Sequence, residues 1–151
     1  MSAKTARPYQ VLIVDDEAGD VELTRTAFAA GPYNCHISSV SNGREALAYL
    51  RKSKPEYASA LSPDIVLLDL NMPIMNGRET LKEIKADASL AAIPVIVLTT
   101  SDVERDVESS YSLGAAGFIT KPVSMEELID AIHALEHYWF GVARTPKQGA
   151  K

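Results

Sequence analysis

The chain has 151 residues, 46% of them hydrophobic, and a formal net charge of −5. That length suits one domain with a real core and is too short for two. The negative balance, with no dense basic patch, argues against direct nucleic-acid binding, and no apolar run approaches the ~18 residues a membrane span needs.

Residues 1–8 carry basic side chains but no signal-peptide core follows them, because VLIV (11–14) runs at once into Asp15, Asp16 and Glu17. They read as an N-terminal arm on a cytoplasmic protein. VLIV is the first strand. A helix follows over about 18–30, with Val21, Thr24 and Phe28 on one side. CHISSV (35–40) is a weaker second strand. Its Cys35 is the only cysteine of the chain, so no internal disulfide exists and the thiol reads as a small buried group. The segment 43–51 is helical through Ala46, Leu47 and Leu50, and 52–63 is a long polar connection. Arg51, Lys52 and Lys54 there suit a solvated loop better than a binding patch.

DIVLLDL (64–70) and IPVIVLT (93–99) are the third and fourth strands, separated by a helix over 77–88 carrying Leu81, Ile84 and Ala88. Their unbroken apolarity indicates burial on both faces, as in a parallel sheet. Val103, Val107 and Tyr111 give 102–113 only a thin apolar stripe, so that helix packs lightly. GFIT (117–120) is the fifth strand. The last helix starts at Ser124, a capping-box residue with Glu127, and lines up Leu128, Ile132, Leu135 and Trp139 on one face. Gly43, Gly77, Gly114 and Gly117 punctuate the loops, as left-handed or tight-turn positions require. Residues 9–140 form one unit, and 141–151 form a tail with no output domain.

Alternating strands and helices specify a doubly wound α/β domain, in which function sits beyond the C-terminal strand ends. Those ends carry Asp15 and Asp16, Asp69, Thr99, and Lys121 followed by Pro122. With strand order 2-1-3-4-5, the first and third strands flank the point where winding reverses, and their acids meet. Clustered carboxylates do not all stay ionised without a cation, and Mg²⁺ favours such oxygen ligands together with phosphate. An Asp after a strand is by itself most often a cap or turn residue; it is the combination on one edge that points to a site. Glu17 lies outside it, at the start of the first helix, where an acid favours the dipole.

The ordered set IVDDE, LLDLNMPIMNG, VLTTS and FITKP resembles a response-regulator receiver domain of two-component signalling. The resemblance implies a five-stranded parallel sheet in a flavodoxin-like three-layer sandwich. It implies that Asp69 accepts a phosphoryl group, that Asp16, Asp69 and the Asn71 carbonyl ligate Mg²⁺, and that Asp15 does so through water. Thr99 and Lys121 would contact the phosphoryl oxygens, Phe118 would be the switch aromatic, and the Lys121–Pro122 bond would be cis. The strings LRKSKPEYASALSPDIVLLDLNMP, SYSLGAAGFITKPV and ALEHYWFGVARTP look like single-domain receivers that accompany phytochrome histidine kinases. That implies a phytochrome-type sensor kinase as partner and a homodimer formed through the last helix and Tyr138, Trp139 and Phe140. On a regular helix Trp139 suits the core, leaving Tyr138 or Phe140 for another surface, the alternative being an aromatic cap on the domain itself.

Such a receiver is a switch, not an enzyme. The competing reading is a haloacid-dehalogenase-like phosphatase, which uses a nucleophilic Asp, Mg²⁺, Thr or Ser and Lys, but in an Asp-x-Asp pattern on its first strand that is absent here. A flavodoxin-like cofactor binder would need a phosphate-cradling loop where this chain has acids. His133 and His137, spaced i, i+4, lack a nearby third ligand in the sequence.

Overall fold

The structure is a computed structural model that describes residues 8–100, 104–121 and 124–142. Strands Tyr9–Val14 (β1), Cys35–Val40 (β2), Ile65–Leu68 (β3), Val95–Thr99 (β4) and Gly117–Thr120 (β5) alternate with helices Ala18–Ala29 (α1), Gly43–Arg51 (α2), Gly77–Ala86 (α3), Glu104–Ser112 (α4) and Met125–Glu136 (α5). The sheet order is β2-β1-β3-β4-β5, all parallel, so the expected topology holds. Val103 and the Lys121–Pro122 bond lie outside the described residues.

The apolar runs are continuous because the pleat sends alternate residues to two different cores. Leu12, Val14, Val66 and Leu68 meet Leu47, Leu50, Leu81 and Ile84 of α2 and α3. Val11, Ile13, Ile65 and Leu67 meet Phe28, Leu128, Ile132 and Leu135 of α1 and α5. Among the described residues the central strands are buried on both faces. In α4, Val107 is half-buried but Tyr111 is exposed and Ser110 is fully buried, so the packed face turns away from the Tyr111 end of the expected stripe.

Helix starts follow local chemistry. Asn76 caps α3 in a full capping box with Glu79: the Asn76 side chain accepts from the Glu79 N–H at 3.0 Å, and Glu79 Oε1 accepts from the Asn76 N–H at 3.2 Å. At α5 the Ser124 hydroxyl oxygen accepts from the Glu127 N–H at 3.1 Å, and the hydroxyl donates to the Glu127 carboxylate at 3.0 Å.

Two expectations need correction. Of the glycines read as left-handed or tight-turn positions, Gly114 alone among the described residues takes the left-handed option (φ 104°), and the non-glycines Lys52 (54°) and Ile74 (67°) take it where it was not expected. Gly77 is required by close approach instead. A Cβ there would stand 2.3 Å from the Asp69 carbonyl oxygen and 2.6 Å from Leu70 Cα, in a loop pinned by the Gly77 N–H donating to the Leu70 carbonyl at 3.0 Å.

The second correction concerns the aromatic extension. After Glu136 the chain widens into a π-helical turn, His137–Val142. A wider turn moves the fully core-facing position from i+4 to i+5, so Phe140 follows Leu135 into the core while Trp139 packs, half-buried, against its margin. Phe140 is buried and stacks on Tyr9 with centroids 4.0 Å apart and planes 10° apart, while the Tyr9 hydroxyl donates to the Phe140 carbonyl at 3.0 Å. Phe140 is therefore a cap on its own domain and is not available as a dimer contact. Trp139 is half-buried and Tyr138 exposed.

The long connection also has structure. A 3-10 turn at Pro55–Tyr57 places Tyr57 edge-on to Tyr49, with its hydroxyl donating to Glu45 Oε1 at 2.7 Å. Burial, with the bond to Glu45, pushes the Tyr57 hydroxyl up to about 12. Lys54 pairs with Glu45 and Arg51 with Asp87 and Glu83, so these cations are consumed within the chain.

Candidate functional site

The site stands on the sheet's own hydrogen-bond ladder, which runs one residue past each strand. The Asp15 N–H donates to Val40 O at 3.1 Å, the Asp69 N–H to Val14 O at 3.0 Å and the Lys121 N–H to Thr99 O at 2.7 Å. Asp15, Asp69 and Lys121 are thus anchored by backbone pairing, and Thr99 by its place at the end of β4. The preceding apolar residues bury the strand, and the first polar residue emerges at its C-terminal end.

Ligand oxygens of Asp15, Asp16 and Asp69 lie within 4.8 Å of one another. Asp15 and Asp69 are buried and Asp16 is exposed. Asp69 Oδ1 accepts the Thr99 hydroxyl at 2.7 Å and the Asn71 N–H at 3.2 Å. Lys121 Nζ donates to Asp15 Oδ2 at 2.6 Å and to Asp20 Oδ2 at 2.9 Å, and stands 3.6 Å from Asp69 Oδ2. The predicted set Asp15, Asp16, Asp69, Thr99 and Lys121 is brought together. Asn71 enters through its amide, and Phe118 is half-buried on β5 against the α2/α3 core.

Lys121 is shared by Asp15, Asp20 and Asp69, with Asp16 beside them in the same acidic group. Burial pushes the Asp15 carboxyl up; the hydrogen bonds from Lys121 and the Glu17 N–H oppose this, and the charge of Asp69 adds to it. Burial acts to lower Lys121, but its hydrogen bonds to Asp15 and Asp20 and the charges of Asp15 and Asp69 prevail and hold it above its ordinary value. The lysine stays charged and one cation is too few. Hard carboxylate oxygens in that arrangement suit a divalent ion such as Mg²⁺ or Mn²⁺.

Asp20 is the residue that sequence reasoning missed. It sits in the first turn of α1, where an acid is ordinarily credited to the helix dipole. The one available signal was its place four positions after Asp16, one helical turn from the acidic strand end. His133 and His137 acquire no third metal ligand among the described residues, where Asp15, Asp16 and Asp69 form the candidate metal group.

A family model described as response regulator receiver domain matches residues 11–133. Response regulator Rcp1 of Synechocystis is 34% identical over 146 residues, covering 97% of this chain and 99% of the relative. The phosphorylated cyanobacterial phytochrome response regulator RcpA superposes with a TM-score of 0.87 at 39% identity, over 93% of this chain and 99% of that one. The Mn²⁺-bound form of Rcp1 gives 0.84 at 34% identity, over 92% and 99%.

Proposed function

The chain belongs to the response regulator receiver family, whose members are phosphoacceptor signalling modules rather than enzymes, and on that footing we propose that it takes a phosphoryl group onto Asp69 from a phytochrome-type sensor histidine kinase. The observation that carries the reading is the convergence of Thr99 and Lys121 on Asp69 beside the Asp15 and Asp16 carboxylates. In the cytoplasm the kinase's phosphohistidine is the donor. An Asp69 carboxylate oxygen forms the new O–P bond as the N–P bond breaks, and the imidazole leaves. Asp16, Asp69 and the Asn71 carbonyl, with Asp15 through water, would hold Mg²⁺, which when bound neutralises charge on the phosphoryl oxygens.

The remaining work falls to the protein. The Asn71 amide and Thr99 hydroxyl orient the Asp69 carboxylate, and Lys121 is within reach of a group attached to it. The acyl phosphate adds charge beside Thr99, drawing its hydroxyl from Asp69 toward the phosphoryl oxygens. Phe118 then repacks into the vacated space, and the signal leaves through a protein contact at α4 and α5. Similarity to the cyanobacterial phytochrome response regulator RcpA supports the phytochrome kinase, and exposed Tyr138, in the turn that follows α5, supports a homodimer at that end of the chain.

Acetyl phosphate with Mg²⁺ adds one phosphate to the wild type and none to Asp69→Asn. Equal labelling of the two proteins overturns the assignment, and multiple turnover on small phosphomonoesters would restore the phosphatase reading.

A further inference from the structure

Asp20 occupies the third position of α1, from which an acidic side chain usually reaches back to the N-cap N–H. Here that N–H, from Glu17, already donates to Asp15 Oδ1 at 3.0 Å, and Glu17 makes no side-chain cap of its own. Released from capping, the Asp20 carboxylate crosses to Lys121 at 2.9 Å, a contact spanning 101 residues of chain. Lys121 is therefore held between an inner carboxylate, Asp15, and an outer one, Asp20, and is kept 3.6 Å from Asp69 Oδ2.

The two anchors differ in kind. Asp15 and Asp69 belong to the group able to hold a divalent cation; Asp20 does not. When those carboxylates serve a metal, Asp20 is the partner that Lys121 keeps. We propose that Asp20 is a positioning residue: it holds the Lys121 ammonium at the outer side of the site, so that the lysine does not compete with the divalent cation for Asp15 and Asp69. This rests on the reading of the site given above. Without Asp20, the ammonium falls back on the inner carboxylates, and metal affinity and phosphoryl uptake drop together.

The probe is Mg²⁺ alone, titrated into metal-free full-length protein by calorimetry, with acetyl phosphate labelling as a second readout. Partners bonded directly to metal ligands contribute ~10- to 100-fold to metal affinity; Asp20 acts one residue further out, through Lys121, so Asp20→Asn should weaken Mg²⁺ by up to about tenfold, at the low end of that range. Asp20→Glu, which keeps the charge, restores affinity to within about threefold, less than the ~1.4 kcal/mol of a tenfold change. Glu17→Gln removes one nearby charge without touching Lys121 and sets the size of the general electrostatic effect. In a Lys121→Gln background, Asp20→Asn falls to that control value.

An Asp20→Asn effect no larger than Glu17→Gln, or one undiminished when Lys121 is gone, overturns the proposal. If the Mg²⁺ cycle behaves as expected but the wild type takes no phosphate, the positioning role stands and the phosphoacceptor reading falls. A wild type with no Mg²⁺ affinity overturns both.

Discussion

The Thr99 hydroxyl donates to Asp69 Oδ1 across 2.7 Å, with Thr99 fully buried. Thirty residues of chain separate the two, and the parallel pairing of β3 with β4 brings them together. In the proposed transfer the charge to be stabilised lies on the phosphoryl oxygens, which a buried hydroxyl beside Asp69 can reach, and donors to such charge contribute ~100-fold or more where they are fixed and dry. Thr99→Val keeps the shape and loses the hydroxyl, so initial labelling by acetyl phosphate should slow by at least about tenfold on that scale. Thr99→Ser should remain near the wild-type rate; equal slowing in both variants would assign the effect to packing.

Metal-free stability should carry the signature of Asp15. Its carboxyl is raised from an ordinary value of 3.8, so between the unfolded and folded values the folded state holds more protons. Stability from this group is complete below 3.8 and is lost as pH rises through the folded value. Asp15→Asn removes that slope, and the difference between the two proteins isolates it from Glu45 and Asp87, whose lowered values slope the other way. Saturating Mg²⁺ should reverse the sign, because the bound cation favours the ionised carboxylate. Urea midpoints across pH, with and without metal, measure both.

Phe140→Ala should destabilise the domain by about 3–5 kcal/mol, the usual cost of deleting a buried phenylalanine. The ring is buried against Tyr9 and Tyr33. Trp139→Ala should cost less, since Trp139 is only half-buried. The opposite ranking in thermal melts would restore the regular helix that the π-turn replaces.

Tyr138→Ser should leave the melting temperature unchanged and weaken self-association in sedimentation, since Tyr138 is 54% exposed. An unaltered association state would remove this residue from the proposed dimer.

Ile74 combines φ of 67° with a β-branched side chain, in a tight turn closed by the Met75 N–H on the Pro73 carbonyl at 2.7 Å. That conformation costs a β-branched residue roughly 1–2 kcal/mol, and the side chain is 69% exposed, so little packing offsets it. Ile74→Asn or Ile74→Gly should therefore stabilise the fold by about 1 kcal/mol, read from denaturant midpoints. Destabilisation by both would show that Ile74 is packed in solution.

The ends of β1, β3 and β4 were legible because burial on both faces makes each an apolar run whose first polar residue marks the functional edge, and Lys121 was legible from the Lys-Pro pair that follows the partly buried β5. That placed Asp15, Asp16, Asp69, Thr99 and Lys121 without any coordinates. Asp20 was not legible, since a first-turn acid has a local explanation that hides a partner 101 residues away. Phe140 was missed because the face was projected with 3.6 residues per turn through a segment that widens. The positive φ of Ile74 was missed because side-chain type is the only sequence clue to such a position, and isoleucine argues against it. The 52–63 segment looked like plain loop because what orders it is the contact of Tyr57 with Glu45, on a different element.

The absent side chain at Gly77 has a mechanical meaning. With 2.3 Å between its virtual Cβ and the Asp69 carbonyl oxygen, the start of α3 and the peptide of Asp69 are clamped face to face, and the Asn76–Glu79 box stiffens the clamp. A disturbance at the Asp69 side chain meets an anvil on that side. A rearrangement started there is expected on the opposite flank, where α4 buries Ser110, half-buries Val107 and leaves Tyr111 exposed.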